Sequence, residues 1–458
     1  MKLLLSLLLV LAPIAASAQA TVQAALVHHP VSTNSAVAQR DFDEGLTLVY
    51  AFNRAESEKR FRTAAAADPK LAIAWWGVAL AAGPNLNYGM SGDNWKTVRD
   101  ALTKANALTA EASPEERRLI AALAVRYPAG ATDPNAAGYR DAMAGVYRDF
   151  PADDDVATLY VESAMDASPY GWTTDGKPVG DTADLVRILK AVLARTPLHP
   201  GANHYLTHLD DRTGIAADAV PSADRLAALP IEPAASHLKH MSGHIYLDVG
   251  SYVPLLSNNR VAVEDDQLYA KSIGVPPQRL DYYYHNLDFY AGGALMLDDI
   301  AQAKRAAELQ LQIDDLHALL VYDRLGDWAD VLNAKTPASR NTWLVQWPWH
   351  YARGIAYASQ KNLPSAESEL SALRAIAGDG YGMLLVKMLA ARVAYLRGDV
   401  KSATATLRDV IAGVASDSPE SFPEWYFPAG EWLGWMLLQT GDASGAEAAF
   451  RAELVRAP

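Results

Sequence analysis

A chain of 458 residues is longer than one compact core supports, so several domains or a solenoid are expected. Its formal net charge of -13 leaves no basic stripe for a nucleic-acid backbone. It contains no cysteine, which excludes disulfides, thiolate metal sites, iron–sulfur clusters and covalent c-type haem.

The chain opens with Lys2, an apolar run from Leu3 to Ala12, and two overlapping small-x-small sites, Ala16-Ser17-Ala18 and Ala18-Gln19-Ala20. This pattern predicts a secretory signal over 1–20, cleaved after Ala18 or Ala20, and export to the periplasm. The run is too short to span a bilayer, and no later segment is apolar enough to do so. His28-His29 then falls in a tether behind the signal.

Alanine-rich helical periodicity fills the rest, without a convincing alternating strand. Small residues recur at set distances. Gly45 is followed by Ser57, Phe61 and Pro69, and Gly434 by Ala446, Phe450 and Pro458, at offsets of 12, 16 and 24. Gly354 with Ala366 and Leu370, and Ala391 with Ala403 and Leu407, repeat the first two offsets. Small residues let paired helices approach, and the larger residue fills the gap between stacked hairpins. The pattern resembles the tetratricopeptide repeat. The predicted fold is an all-α, right-handed superhelical solenoid. It has N-terminal repeats over 21–150, central histidine-bearing repeats over 151–330 and C-terminal repeats over 331–458.

Segments 84–97 and 168–181, rich in Gly, Pro, Asn and Asp, are expected to be insertions between helices. Asn85, Asn87 and Tyr88 form a polar loop at one end of the expected groove, and loop filler is the plainer expectation for them.

The same ruler crosses the central region. Thr207, with Gly214 and Ala219 behind it, Gly243, with Gly250 and Leu255, and Ala291, with Asp298 and Ala303, anchor three repeats. His204 and His208 lie at -3 and +1 from the first anchor. His237, His240 and His244 lie at -6, -3 and +1 from the second, and His285 and Asp288 at -6 and -3 from the third. At about 100° per residue these offsets form one stripe per helix. Eleven histidines in 458 residues would put about 0.2 of a histidine in these nine places, and six are there. Chance is therefore a poor account of the cluster. The stripes are expected to face each other across about 10 Å on the concave wall.

Three readings remain open: a metal site, a hydrogen-bonded or pH-sensitive polar groove, and structural histidines. His-x-x-x-His on a helix presents two imidazoles to one ion. The expected ligands are His204, His208, His237, His240, His244 and His285, with the two pairs His204/His208 and His240/His244 converging. Asp211, Asp288 and Glu162 are the carboxylates expected to complete the set, while Asp265 and Asp266 fall outside the stripe as outer-shell or capping groups. Nitrogen and oxygen ligation without thiolate suits copper, zinc or iron, and the excess of ligands suggests one or two ions. Trp343, Trp347, Trp349 and His350 are expected to be packing.

The chain also resembles a group of exported bacterial tetratricopeptide-like proteins. The matching stretches are Tyr50-Ala-Phe-Asn53, Asp68-Pro69 with Ala74-Trp-Trp-Gly77 and Gly83-Pro-Asn85, Glu162-Ser-Ala-Met165, His199-Pro-Gly-Ala-Asn-His204-Tyr-Leu-Thr-His208, His240-Met-Ser-Gly-His244-Ile-Tyr246 with Val249-Gly250-x-Tyr252, and His285-Asn286-Leu287. The group tends to carry glutamate where Asp211 stands and histidine where Asp288 stands. The resemblance implies the fold and the site, and implies no reaction.

The expectation from these residues is a periplasmic metal-dependent protein, an oxidoreductase or hydrolase acting on a peptide or small molecule in the groove. The alternatives are a non-catalytic scaffold for a protein segment and a metal carrier or sensor.

Overall fold

A computed structural model describes residues 27–169, 171–174, 177–211, 216–231, 233–335, 343–414 and 428–456. The segment read as a signal, 1–20, lies outside them, as do Gly214 and Pro458.

The described residues form an all-α solenoid of 22 α-helices stacked as tetratricopeptide-like hairpins. The glycine ruler has a steric basis. A Cβ on Gly45 would lie 2.9 Å from the Phe61 ring, one on Gly77 2.3 Å from it, and one on Gly434 2.5 Å from Phe450. The offset-16 aromatic therefore fills the notch that the glycine leaves. The insertions are also as expected in kind, with an isolated bridge between Asn85 and Tyr88 and a two-residue hairpin, Thr173–Thr174 with Lys177–Pro178. The helix after the first insertion begins at Asn94, three residues before the expected end of the loop.

The helices Asp154–Ala167, Pro200–Asp210, Ser236–Asp248, Tyr283–Met296 and His317–Leu325 pack side by side in that order. The middle three carry the histidine stripe. The helix Ala36–Tyr50 also packs on Pro200–Asp210, so the N-terminal hairpins curl round to meet the central repeats. Asn53 Nδ2 donates to the Ala234 carbonyl at 2.8 Å across the same junction. One hydrophobic core runs from Val27 to Leu209 and another from Val263 to Ala446. Smaller clusters around Leu238 and Met241 and around Ile245 and Phe289 pack on the histidine helices.

His29 is not a loose tether. Its ring is 3% exposed, with Nδ1 3.2 Å from Asp155 Oδ2 and Nε2 3.3 Å from Glu115 Oε1. Burial opposes the charged ring, but hydrogen bonds to Asp155 and Glu115 raise its pKa well above the ordinary value. Asp155 also accepts from Tyr50 Oη at 2.8 Å and contacts His199 Nε2 at 3.2 Å. One buried carboxylate thus fastens the N-terminal segment, the end of the first helix and the start of the first histidine helix. Trp347 and Trp349, near His350, pack on the core as expected, while the Trp343 side chain lies outside the described residues: Trp347 Nε1 donates to the Ile376 carbonyl at 3.1 Å, and His350 Nδ1 meets Glu369 at 2.7 Å.

Candidate metal centre

The histidines converge as two groups of three. His204 and His208 from Pro200–Asp210 join His237 from Ser236–Asp248, and one ring nitrogen of each lies within 4.8 Å of the others. His240 and His244 join His285 from Tyr283–Met296 on the same terms. The expected union of the pairs His204/His208 and His240/His244 is therefore replaced by a different grouping. Each His-x-x-x-His pair takes its third ring from the next helix. His237 and His240, three residues apart on one helix, divide between the groups with ring centroids 5.5 Å apart.

Tautomers follow from the partners. His204 Nδ1 lies 2.6 Å from the Tyr50 carbonyl oxygen, an obligate acceptor, so Nδ1 carries the hydrogen and Nε2 the lone pair. That Nε2 is buried without a hydrogen-bond partner, as are His208 Nε2 and both nitrogens of His237. In the second group, Asn259 Nδ2 donates to the Leu255 carbonyl at 2.9 Å, which leaves Oδ1 to accept from His240 Nδ1 at 2.7 Å. His244 Nδ1 donates to Asp211 Oδ2 at 3.1 Å. The free Nε2 atoms of His240 and His244 then face each other at 3.1 Å, with His285 Nε2 3.3 Å from that of His244. Two lone pairs at this separation repel unless a cation lies between them. Nitrogens bound at 2.0–2.1 Å to one tetrahedral ion sit about 3.3 Å apart.

Burial keeps four of the rings neutral. It lowers the pKa of His204 to about 3, against the Tyr50 hydrogen bond, and lowers His208, His237 and His240 well below the usual value, with neighbouring histidines adding to the effect. A neutral imidazole is the form that binds a metal. The rings are thus deeper than groove-wall residues. His204 and His240 are fully covered, while His244 and His285 keep partial contact with solvent.

The carboxylates divide. Asp211 supports His244 from behind. Asp288 and Glu162 join neither histidine group. Asp288 lies one turn beyond His285 and is taken up by the second helix of its own hairpin, where Gln310 Nε2 donates to it at 2.8 Å, and by the next repeat, whose His317 Nδ1 lies 4.0 Å away. Asp288, Asp315 and His317 form a separate buried group. Burial opposes the charge on His317, but Asp315 and Asp288 raise its pKa to about 9. Glu162 faces the buried Arg126–Asp166 ion pair, one helix short of the cluster. Two carboxyls share one guanidinium there. Asp166 bonds it, so burial leaves the proton on Glu162 and raises its pKa. Asp266 is an outer support, accepting from Ser236 Oγ at 2.5 Å and Asn286 Nδ2 at 2.7 Å and so tying together two histidine helices.

Several site residues escaped the sequence reading. Phe52 packs on the first group, with centroids 4.6, 6.0 and 5.5 Å from His204, His208 and His237. Phe289 does the same for the second, at 4.6, 4.5 and 4.9 Å from His240, His244 and His285. Asn259 stands 16 residues after Gly243, where other repeats place the filling aromatic, and a Cβ on Gly243 would lie 2.4 Å from its Nδ2. A polar residue at that filler position was the signal to read. Tyr282 stacks on His237 at 3.8 Å, and the 85–88 loop reaches it: Asn87 Nδ2 donates to Tyr282 Oη at 3.2 Å and Tyr88 Oη to the Asp281 carbonyl at 2.8 Å. That loop is therefore more than filler.

Among the described residues no helix is long and apolar enough to cross a membrane. No family model matches the chain, and no curated protein does. Solved structures that it resembles include the crystal structure of the P58(IPK) TPR domain, at 12% identity and a TM-score of 0.22 over 88% of this chain and 99% of that one. Another is the Naa15/Naa10 complex bound to HypK-THB, at 16% identity and a TM-score of 0.20 over 90% of this chain and 62% of that one.

Proposed function

We propose that this is an exported, metal-dependent enzyme whose two three-histidine groups each hold one transition-metal ion. The observation that carries the reading is the convergence of the rings, with His204 Nε2, His208 Nε2 and both nitrogens of His237 buried and without a hydrogen-bond partner. An unpartnered buried polar group costs about 1–3 kcal/mol, and a metal ion would repay several at once. Imidazole ligation suits copper, zinc or iron. The partial exposure of His244 and His285 gives a small molecule a route to the second group. The signal-like pattern of residues 1–20 supports export.

The test is elemental analysis of untagged protein purified from the periplasm. Two equivalents of a transition metal per chain are expected, falling to one or none in His285→Ala and His204→Ala. A chain that arrives in the periplasm without metal, and takes none up after reconstitution, overturns the proposal.

A further inference from the structure

The character of the ligand set narrows the chemistry beyond a generic metal site. This step rests on the two-metal reading above. Neither histidine group contains a carboxylate or any other anionic ligand atom. The nearest acid with a role there is Asp211, which bonds a ring nitrogen of His244 on the side away from the other rings. The walls are aromatic, with Phe52 against one group and Phe289 against the other. Two divalent ions would bring four positive charges into this setting with a single carboxylate behind one ligand. Uncompensated charge in such surroundings is costly. Two-metal hydrolytic centres neutralise that charge and clamp an attacking oxygen between the ions. Among the described residues no carboxylate oxygen joins either group.

Two cuprous ions halve the charge, and neutral nitrogen ligands in a three-coordinate set suit them. The two groups are also contiguous, because His237 and His240 stack at 5.5 Å across their boundary. Each group offers three imidazoles, so a three-coordinate ion held there would have room for one more ligand. We propose that the pair of three-histidine groups is a dicopper centre whose small-molecule substrate is dioxygen, bound between the two ions. The step balances without an outside reductant. Each cuprous ion gives one electron, the O–O double bond becomes a single bond, and the products are two cupric ions and one peroxide dianion. No proton is consumed. The total charge of the buried centre is the same before and after, since the electrons move from the metals to the oxygen between them. That constancy is what a site with neutral ligands and apolar walls permits, and a net gain of charge is what it resists.

The experiment is anaerobic loading of the metal-free full chain with a cuprous salt, removal of free metal, copper counting, and then admission of oxygen. Two copper ions per chain are expected. Oxygen should produce an intense near-ultraviolet charge-transfer band, with no cupric electron paramagnetic resonance signal because the two spins couple through the bridge. His285→Ala, at the more exposed end, should hold one copper and give neither the band nor the silence. If two coppers bind but oxygen yields no band and two ordinary cupric signals, the dioxygen proposal is overturned while the two-metal reading stands. If copper does not bind but two zinc ions do, dioxygen is again overturned and the site is a non-redox one. If no metal binds, the failure lies with the two-metal reading itself. Should His204→Ala fail to fold, His285→Ala decides the matter alone.

Discussion

His204 Nδ1 lies 2.6 Å from the carbonyl oxygen of Tyr50, 154 residues earlier in the chain. The contact has two consequences. It fixes the tautomer that points a lone pair into the first histidine group, and it makes the end of the first helix part of the site. Tyr50 is itself held through Asp155, which also grips His29 and His199. The N-terminal hairpin is therefore a positioning element for a cluster whose imidazoles all come from the middle of the chain.

His237 has two buried nitrogens without partners. In metal-free protein they destabilise the fold, by about 1–3 kcal/mol for each unsatisfied group. His237→Leu, of similar bulk, is expected to raise the thermal midpoint of the metal-free protein while abolishing one metal equivalent. The pH dependence has a definite sign. The folded pKa of His237 is depressed below about 6.5, the unfolded value. The stability this ring allows is fully present above 6.5 and is lost as pH falls, because the unfolded chain takes up the proton first. Denaturant titrations between pH 7 and 5 should show a shallower acid slope in His237→Leu than in the parent, by up to about 1.4 kcal/mol per pH unit. Equal slopes would mean that the ring is solvated.

Asn259 orients His240 from the filler position of its repeat. Supporting groups of this kind set ligand direction, and their loss typically lowers metal affinity about 10- to 100-fold. Asn259→Ala should weaken one of the two equivalents by that factor and leave the other unchanged. Competition with a calibrated chelator reads both. An equal effect on the two equivalents would contradict the division of ligands into separate groups.

Phe52 occupies a left-handed backbone conformation at φ 57°, just beyond the end of a helix, where glycine is the usual residue. The Asn53 N–H closes the turn onto the Leu48 carbonyl at 3.0 Å. A non-glycine residue there carries roughly 1–2 kcal/mol of strain, and the ring against three histidines offsets it. Removing the ring is expected to cost about 3–5 kcal/mol. Phe52→Gly should nonetheless be more stable than Phe52→Ala, by about 1 kcal/mol, because only glycine relieves the strain. Unfolding midpoints in denaturant give the order directly. Alanine above glycine would show that the turn relaxes when the ring goes.

Glu162 lies outside both histidine groups, so Glu162→Gln should keep the full metal content. Its folded pKa is raised, first by burial and then by Asp166. The stability it contributes is present below its unfolded value of about 4.3 and is lost as pH rises through the folded value. Glutamine does not ionise. The variant should gain on the parent steadily as pH rises from 5 to 9, in parallel unfolding curves. Loss of metal in this variant would restore Glu162 as a ligand.

Local periodicity was enough to read the solenoid, the stripe and the pairing of His204 with His208 and of His240 with His244. Those features depend on 100° per residue and on small residues such as Gly45 and Gly243 that admit a neighbour, and both are properties of a few adjacent turns. The grouping of the six rings was not legible. It depends on the angles between successive helices and on the closure of the N-terminal hairpins onto Pro200–Asp210, which accumulate over many residues. The same packing carried Asp288 one turn out of the site toward Gln310 and His317, and left Glu162 with Arg126 and Asp166. It also brought in Phe52 and the Tyr50 carbonyl from a distant repeat. The sequence by itself determined which helix faces carry imidazoles, since a face is set by local register. Only the tertiary structure decided which imidazoles share a centre and how deeply they are buried, since both depend on how neighbouring helices meet.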